Sequence, residues 1–248
     1  MEFPKNFPRW RSGNPGLSLR KICKSTWPRV TLLGLFVLWM IGGTAQQPPF
    51  WNEIQQFRKA DSIHAPAPGQ ILFVGSSSFT MWKDVQDYFP GYSILNRGFG
   101  GSSLPDLIRY ADDVIFKYNP SQIVIYCGEN DLAAADTVKA STVVWRFKTL
   151  FNMIRARLPS VPIVFVSIKP SPSRIHLLPE MKQANLEIRK FLKRKKKAAF
   201  VDVFHSMLGQ DGKPLNDIFL SDNLHMNAKG YAIWKEKLTP YLIKTAKK

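Results

Sequence analysis

Five short, mostly apolar runs recur through the chain, and they constrain the fold more than any other feature. They are ILFVG (71–75), YSILN (92–96), QIVIYCG (122–128), PIVFVSI (162–168) and AFVDVF (199–204). Runs of four to seven residues bounded by turn formers are strand-length, and apolar side chains on successive residues need cover on both faces. The stretches between them carry apolar residues at helical spacing: Leu104, Leu107, Ala111 and Val114; Val143, Phe147, Leu150 and Ile154; Tyr231, Trp234, Leu238 and Tyr241. Strands alternating with amphipathic helices predict an α/β fold, a mainly parallel five-stranded sheet with a helical layer on each side. In such folds ligands bind outside the C-terminal ends of the strands.

At 248 residues and 45% hydrophobic content the chain can bury one sizeable domain and little more. The extra length lies at the N-terminus. Residues 1–29 hold seven basic side chains against Glu2 alone, and the 12-residue apolar run VTLLGLFVLWMI (30–41) follows. That run is shorter than the roughly 20 residues a membrane span needs and suits the core of a signal peptide. The small residues of GGTA place cleavage near Ala45 and export to the periplasm or beyond; the alternative is an anchor retained at residues 30–45. Residues 46–69, with QQPPF and HAPAPG, read as a leader packed along a domain of residues 70–248.

Removing residues 1–45 takes the formal charge from +17 to +11. Much of the remainder is one tract, RKFLKRKKK, Arg189 to Lys197. Met181, Ala184, Ile188 and Phe191 lead into it at helical spacing, so it reads first as a solvated helix end, where cations suit the helix dipole. A weak contact with anionic envelope surfaces is the second reading; no nucleic-acid motif accompanies the tract, and no nucleic-acid partner is expected. The two cysteines form no pair after cleavage, because Cys23 leaves with the N-terminal segment and Cys127 ends an apolar strand.

The C-terminal strand ends collect polar residues. The first run delivers Gly75, Ser76, Ser77 and Ser78; the second delivers NRGFGGSS (96–103); the third, GEND (128–131); the fourth, KPSPSR (169–174). A late loop, SDNLHMN (221–227), carries Asp222 and His225 at a spacing that lets the carboxylate orient the imidazole. A serine hydroxyl becomes a nucleophile when a neutral imidazole accepts its proton, and an oxyanion needs N–H donors such as glycine-turn amides or an asparagine. That is the inventory of a serine hydrolase. His64, His176 and His205 do not assemble into a metal-ligand set, and neither metal nor cofactor is expected.

Taken in order, serine in a glycine turn, a second-block glycine, G-x-N-D and D-x-x-H resemble the SGNH (GDSL-type) hydrolases over residues 70–245. The resemblance implies a flavodoxin-like three-layer α/β/α sandwich. It implies Ser77 as nucleophile, Asp222 and His225 as its partners, and an oxyanion hole from the Ser77 and Gly101 amides with the Asn130 side chain. Ser76 stands where the family usually has Asp, which leaves the catalytic groups in place. Ser78 is the runner-up nucleophile. Arg174 and His176, just past the fourth strand, are candidate substrate contacts.

The reaction expected is acyl transfer from an ester through an acyl-enzyme to water. No long insertion with an apolar stripe suggests a lipid-binding lid, so a short-acyl esterase acting on small-molecule or glycan esters, above all O-acetyl groups, stands ahead of a lysophospholipase. A non-catalytic binder of acylated envelope components is the alternative from another class. Phe79, Phe99 and Leu104 are expected to wall a small acyl pocket.

Overall fold

The computed structural model describes residues 47–244. The signal-peptide and anchor readings therefore lie outside the described residues, and among those described no helix is long and apolar enough to cross a membrane.

The chain forms α1 (Trp51–Ile63), β1 (Ile71–Gly75), α2 (Ser77–Thr80), α3 (Val85–Tyr88), β2 (Ile94–Gly98), α4 (Leu104–Arg109) and α5 (Ala111–Val114). β3 (Gln122–Tyr126), α6 (Glu129–Ala133), α7 (Ala140–Arg157), β4 (Ile163–Val166), α8 (Leu178–Lys193), β5 (Ala198–Val201) and α9 (Ala228–Leu238) follow. All five strands pair in parallel in the order β2-β1-β3-β4-β5, the flavodoxin-like arrangement. Each expected strand is present.

Successive strand residues feed opposite faces of the sheet, which is why both faces are apolar. Leu72, Val74, Ile123, Ile125, Ile163 and Phe165 meet α1, α4, α7 and α8 on one side. Phe73, Val124, Tyr126, Val164 and Val166 meet Trp82, Val85, Tyr231 and Trp234 on the other. Within residues 47–69, α1 packs along the domain and buries Ile54 completely in the first of these cores. Its far end is fastened through Asp61, which accepts from Tyr118 Oη at 2.7 Å and pairs with Lys117 at 2.6 Å and with Arg97.

The basic tract ends α8 and turns into β5. Only the Lys190–Glu187 pair, at 2.9 Å, neutralises any of it among the described residues. The tract reaches the N-terminal edge of β5, so its end lies at the opposite end of the sheet from the strand C-termini.

Candidate active site

β1 ends on Gly75, and the sequence allows no other residue there. Its φ is 148°, and a Cβ would lie 1.9 Å from the Tyr126 carbonyl oxygen of β3. The chain then turns so that Ser77 opens α2 half-buried, while Ser76 and Ser78 are buried on either side. Ser78 is 2% exposed, which separates it from its neighbour.

Opposite Ser77 stands the loop before α9. Asp222 Oδ1 accepts the backbone N–H groups of Leu224 and His225, both at 2.9 Å, which wraps the loop around the carboxylate. Its Oδ2 lies 2.6 Å from His225 Nδ1, and His225 Nε2 lies 3.0 Å from Ser77 Oγ. The hydrogen bond from His225, reinforced by the two backbone N–H donors, outweighs desolvation and holds the Asp222 carboxyl down to about 2. With Asp222 on Nδ1, Nε2 is left to accept a proton from Ser77.

A second D-x-x-H turn has the same local geometry. His205 Nδ1 lies 2.7 Å from Asp202 Oδ2, and its backbone N–H donates to Oδ1 at 3.1 Å. It follows β5 and faces solvent, and among the described residues its Nε2 makes no hydrogen bond. The motif thus makes an oriented imidazole; only the fold decides which one meets a serine.

The turn after β2 is tied to β1 by Phe99 N–H and Ser102 Oγ, which donate to the Gly75 carbonyl at 2.9 and 3.2 Å. Within it Gly101 adopts φ 82°, and a Cβ would make only ordinary contact with the Phe50 ring at 3.6 Å, so the dihedral is what calls for glycine. Among the described residues no acceptor takes the backbone N–H of Ser77 or of Gly101. α2 is only four residues long, so the amides themselves, more than a helix dipole, supply positive character here.

Asn130 closes the arrangement from the end of β3. Its Nδ2 donates to Ser76 Oγ at 2.8 Å and to the Ser102 carbonyl at 3.1 Å. Ser76 thus fills the usual Asp position with a hydroxyl that holds the asparagine amide. The neighbouring Asp131 serves the fold: its buried carboxylate accepts from Leu104 N at 2.9 Å and from Arg146 at 2.8 Å, locking α6 to the start of α4. Burial nonetheless pushes the Asp131 carboxyl up.

Beneath Asn130 lies a cluster that sequence reasoning did not assemble. Glu129, nearly buried, accepts from Tyr126 Oη at 2.6 Å, Lys169 Nζ at 3.2 Å and Ser171 Oγ at 3.0 Å, and forms an ion pair with Arg174 Nη1 at 3.3 Å. Lys169 also donates to the Leu224 carbonyl at 2.8 Å, beside His225, and Arg174 donates to Asn130 Oδ1 at 3.0 Å. Burial pushes the Glu129 carboxyl up, but the Lys169 and Arg174 charges and the hydrogen bonds from Tyr126 and Lys169 hold it below the usual carboxylate range. Arg174 is therefore brought to the site through Asn130, whereas His176, two residues on, is exposed and makes no side-chain hydrogen bond among the described residues.

The expected acyl-pocket walls are displaced. Phe79, Phe99 and Leu104 are buried; Phe79 packs on Phe73 at 4.9 Å and on Trp234 at 5.9 Å, and Phe99 packs on Phe50 at 5.4 Å. Phe79 belongs to one core and Phe99 and Leu104 to the other, on opposite faces of the sheet.

The family model described as GDSL-like Lipase/Acylhydrolase family matches residues 61–233, most of the chain and every element named in the site. The chain belongs to the GDSL-like lipase/acylhydrolase family. Among solved structures it is similar to a GDSL-like lipase from Bacteroides thetaiotaomicron VPI-5482, with TM-score 0.65 and 21% identity over 76% of this chain and 96% of that one. It is also similar to an acetyl xylan esterase from Geobacillus stearothermophilus, with TM-score 0.57 and 13% identity over 73% and 98%. At these identities the likeness is one of fold. A curated relative, the N-acylneuraminate cytidylyltransferase of Escherichia coli O18:K1:H7 (strain RS218 / NMEC), is 25% identical over 178 residues, 68% of this chain. The match spans 39% of that protein's length, so the GDSL-like chain corresponds to a part of it.

Proposed function

We propose that the protein is a serine esterase that removes short acyl groups, above all O-acetyl groups from carbohydrates. The observation that carries the reading is the unbroken line from Asp222 through His225 to an accessible Ser77, with 3.0 Å between imidazole and hydroxyl. His225 takes the Ser77 proton as Oγ attacks the ester carbonyl. The Ser77 and Gly101 amides and the Asn130 amide stabilise the oxyanion, and the alcohol leaves with the proton from His225. Water, deprotonated by His225, then attacks the acyl-enzyme, and the acid departs.

A short acyl group is favoured because Phe79, Phe99 and Leu104, near the site, are buried in the two cores and offer no apolar surface of their own to a long chain. Carbohydrate acetates are favoured by the acetyl xylan esterase among the similar folds. Export after cleavage near Ala45 is part of the same proposal and would bring such an enzyme to envelope or extracellular glycans.

A kcat/KM series on p-nitrophenyl esters of two to twelve carbons tests the acyl preference. An apolar groove would add about fourfold per methylene, the equivalent of about 0.8 kcal/mol. The expected maximum is at acetyl or propionyl, with a fall beyond butyryl. A maximum at eight or more carbons would reject the short-acyl reading in favour of a lysophospholipase.

A further inference from the structure

An asparagine amide is useful to an oxyanion only if its NH2 end faces the reaction, and its two ends are nearly the same size. Asn130 Nδ2 gives one hydrogen to the Ser102 carbonyl, an acceptor only, at 3.1 Å and the other to Ser76 Oγ at 2.8 Å, the bond an oxyanion would take over from the hydroxyl. At the other end of the amide, Arg174 Nη1, a donor only, sits 3.0 Å from Oδ1. Turning the amide over would set donor against guanidinium and carbonyl against carbonyl, so the chemistry of the neighbours fixes the orientation.

Arg174 is itself held. Its Nη1 lies 3.3 Å from Glu129 Oε1, and Glu129 is pinned by Lys169, Tyr126 and Ser171. One carboxylate against an ammonium and a guanidinium leaves the cluster with a net charge of +1, next to the point where an esterase develops negative charge.

We propose that Arg174 is a positioning residue for the reaction: braced by the Glu129–Lys169 pair, it fixes the Asn130 amide toward the Ser77 site and polarises it, so that Asn130 is a stronger oxyanion donor. This rests on the esterase reading above. A cation on Oδ1 draws electron density through the amide away from its N–H groups, and a fixed charge in a partly desolvated site acts without reorganisation during the reaction. The side chain reaches the substrate's oxyanion through Asn130, and that distinguishes it from a direct binding residue.

The test is a double-mutant cycle on hydrolysis of p-nitrophenyl acetate, with Ser77→Ala as the blank. Arg174→Met should lower kcat about 10-fold with KM within about twofold, less than loss of a direct oxyanion donor. Arg174→Lys, which keeps the charge, should recover most of that loss. In an Asn130→Ala background Arg174→Met should cost less than about twofold, because the group it acts through is gone. Arg174→Gln takes the same place in the cycle should the Met variant not fold.

A full 10-fold loss persisting without Asn130, a change in KM alone, or no effect of Arg174→Met would each overturn the proposal while leaving the esterase reading intact. Absence of Ser77-dependent turnover in the wild type would overturn both.

Discussion

Asn130 donates its side-chain amide to the Ser76 hydroxyl at 2.8 Å, bridging the C-terminal ends of β3 and β1 on either side of the point where the strand order reverses. On the proposed mechanism, this contact makes the serine at the usual Asp position an anchor for the oxyanion donor. Asn130→Ala should lower kcat by about 10²–10³ with a smaller change in KM, because the donor acts mainly when charge develops. Ser76→Ala should cost only about fivefold, since the Ser102 carbonyl still holds the amide. Steady-state kinetics on p-nitrophenyl acetate separate the two.

Ser78 is buried, and Tyr231 Oη donates to its carbonyl at 3.0 Å. Ser78→Ala should retain most activity and Ser77→Ala almost none, with both proteins folded by circular dichroism. A dead Ser78→Ala beside an active Ser77→Ala would move the nucleophile by one residue.

The lowered Asp222 carboxyl gives a pH dependence of definite sign. A carboxyl at about 2 in the folded chain and near 4 in the unfolded one contributes stability that is complete above pH 4 and is lost as pH falls toward 2. The side chain is 46% exposed, so solvent screening keeps the contribution small. Thermal melts of wild type and Asp222→Asn should therefore differ slightly at pH 7 and converge at about pH 2. Because Asp222 remains an anion from pH 5 to 9, Asp222→Asn should reduce kcat across that whole range.

Gly75→Ala tests the turn that presents the nucleophile. With no room for a Cβ against Tyr126 and a dihedral that L side chains avoid, the substitution should destabilise by roughly 3 kcal/mol or more. Urea unfolding measures it, and a cost under about 1 kcal/mol would mean that the β1–β3 contact is looser than described.

The sheet was legible because its strands are apolar on both faces and bounded by turns, a pattern few other structures tolerate. α1 was not, because Ile54 is its one fully buried residue and, of its other large apolar side chains, Trp51 and Phe57 are only partly covered. That the Ser76–Ser78 loop, Asn130 and the Asp222–His225 turn would meet at one place was legible from their order along the chain. Asp222–His225 and Asp202–His205 look alike in sequence, and what tells them apart is a serine 148 residues away. The Glu129–Lys169–Arg174 cluster escaped notice for a related reason. Glu129 lies about 40 residues from Lys169 and Arg174, and isolated charges at strand ends look solvated until packing brings them together.

The central claim is that Ser77 is the nucleophile activated by His225. A fluorophosphonate probe followed by peptide mapping tests it most directly, because the probe forms a covalent bond only with an activated serine. The label should be found on Ser77, should vanish in Ser77→Ala and should form far more slowly in His225→Ala. Labelling of another serine, or labelling at an unchanged rate without His225, would contradict the account.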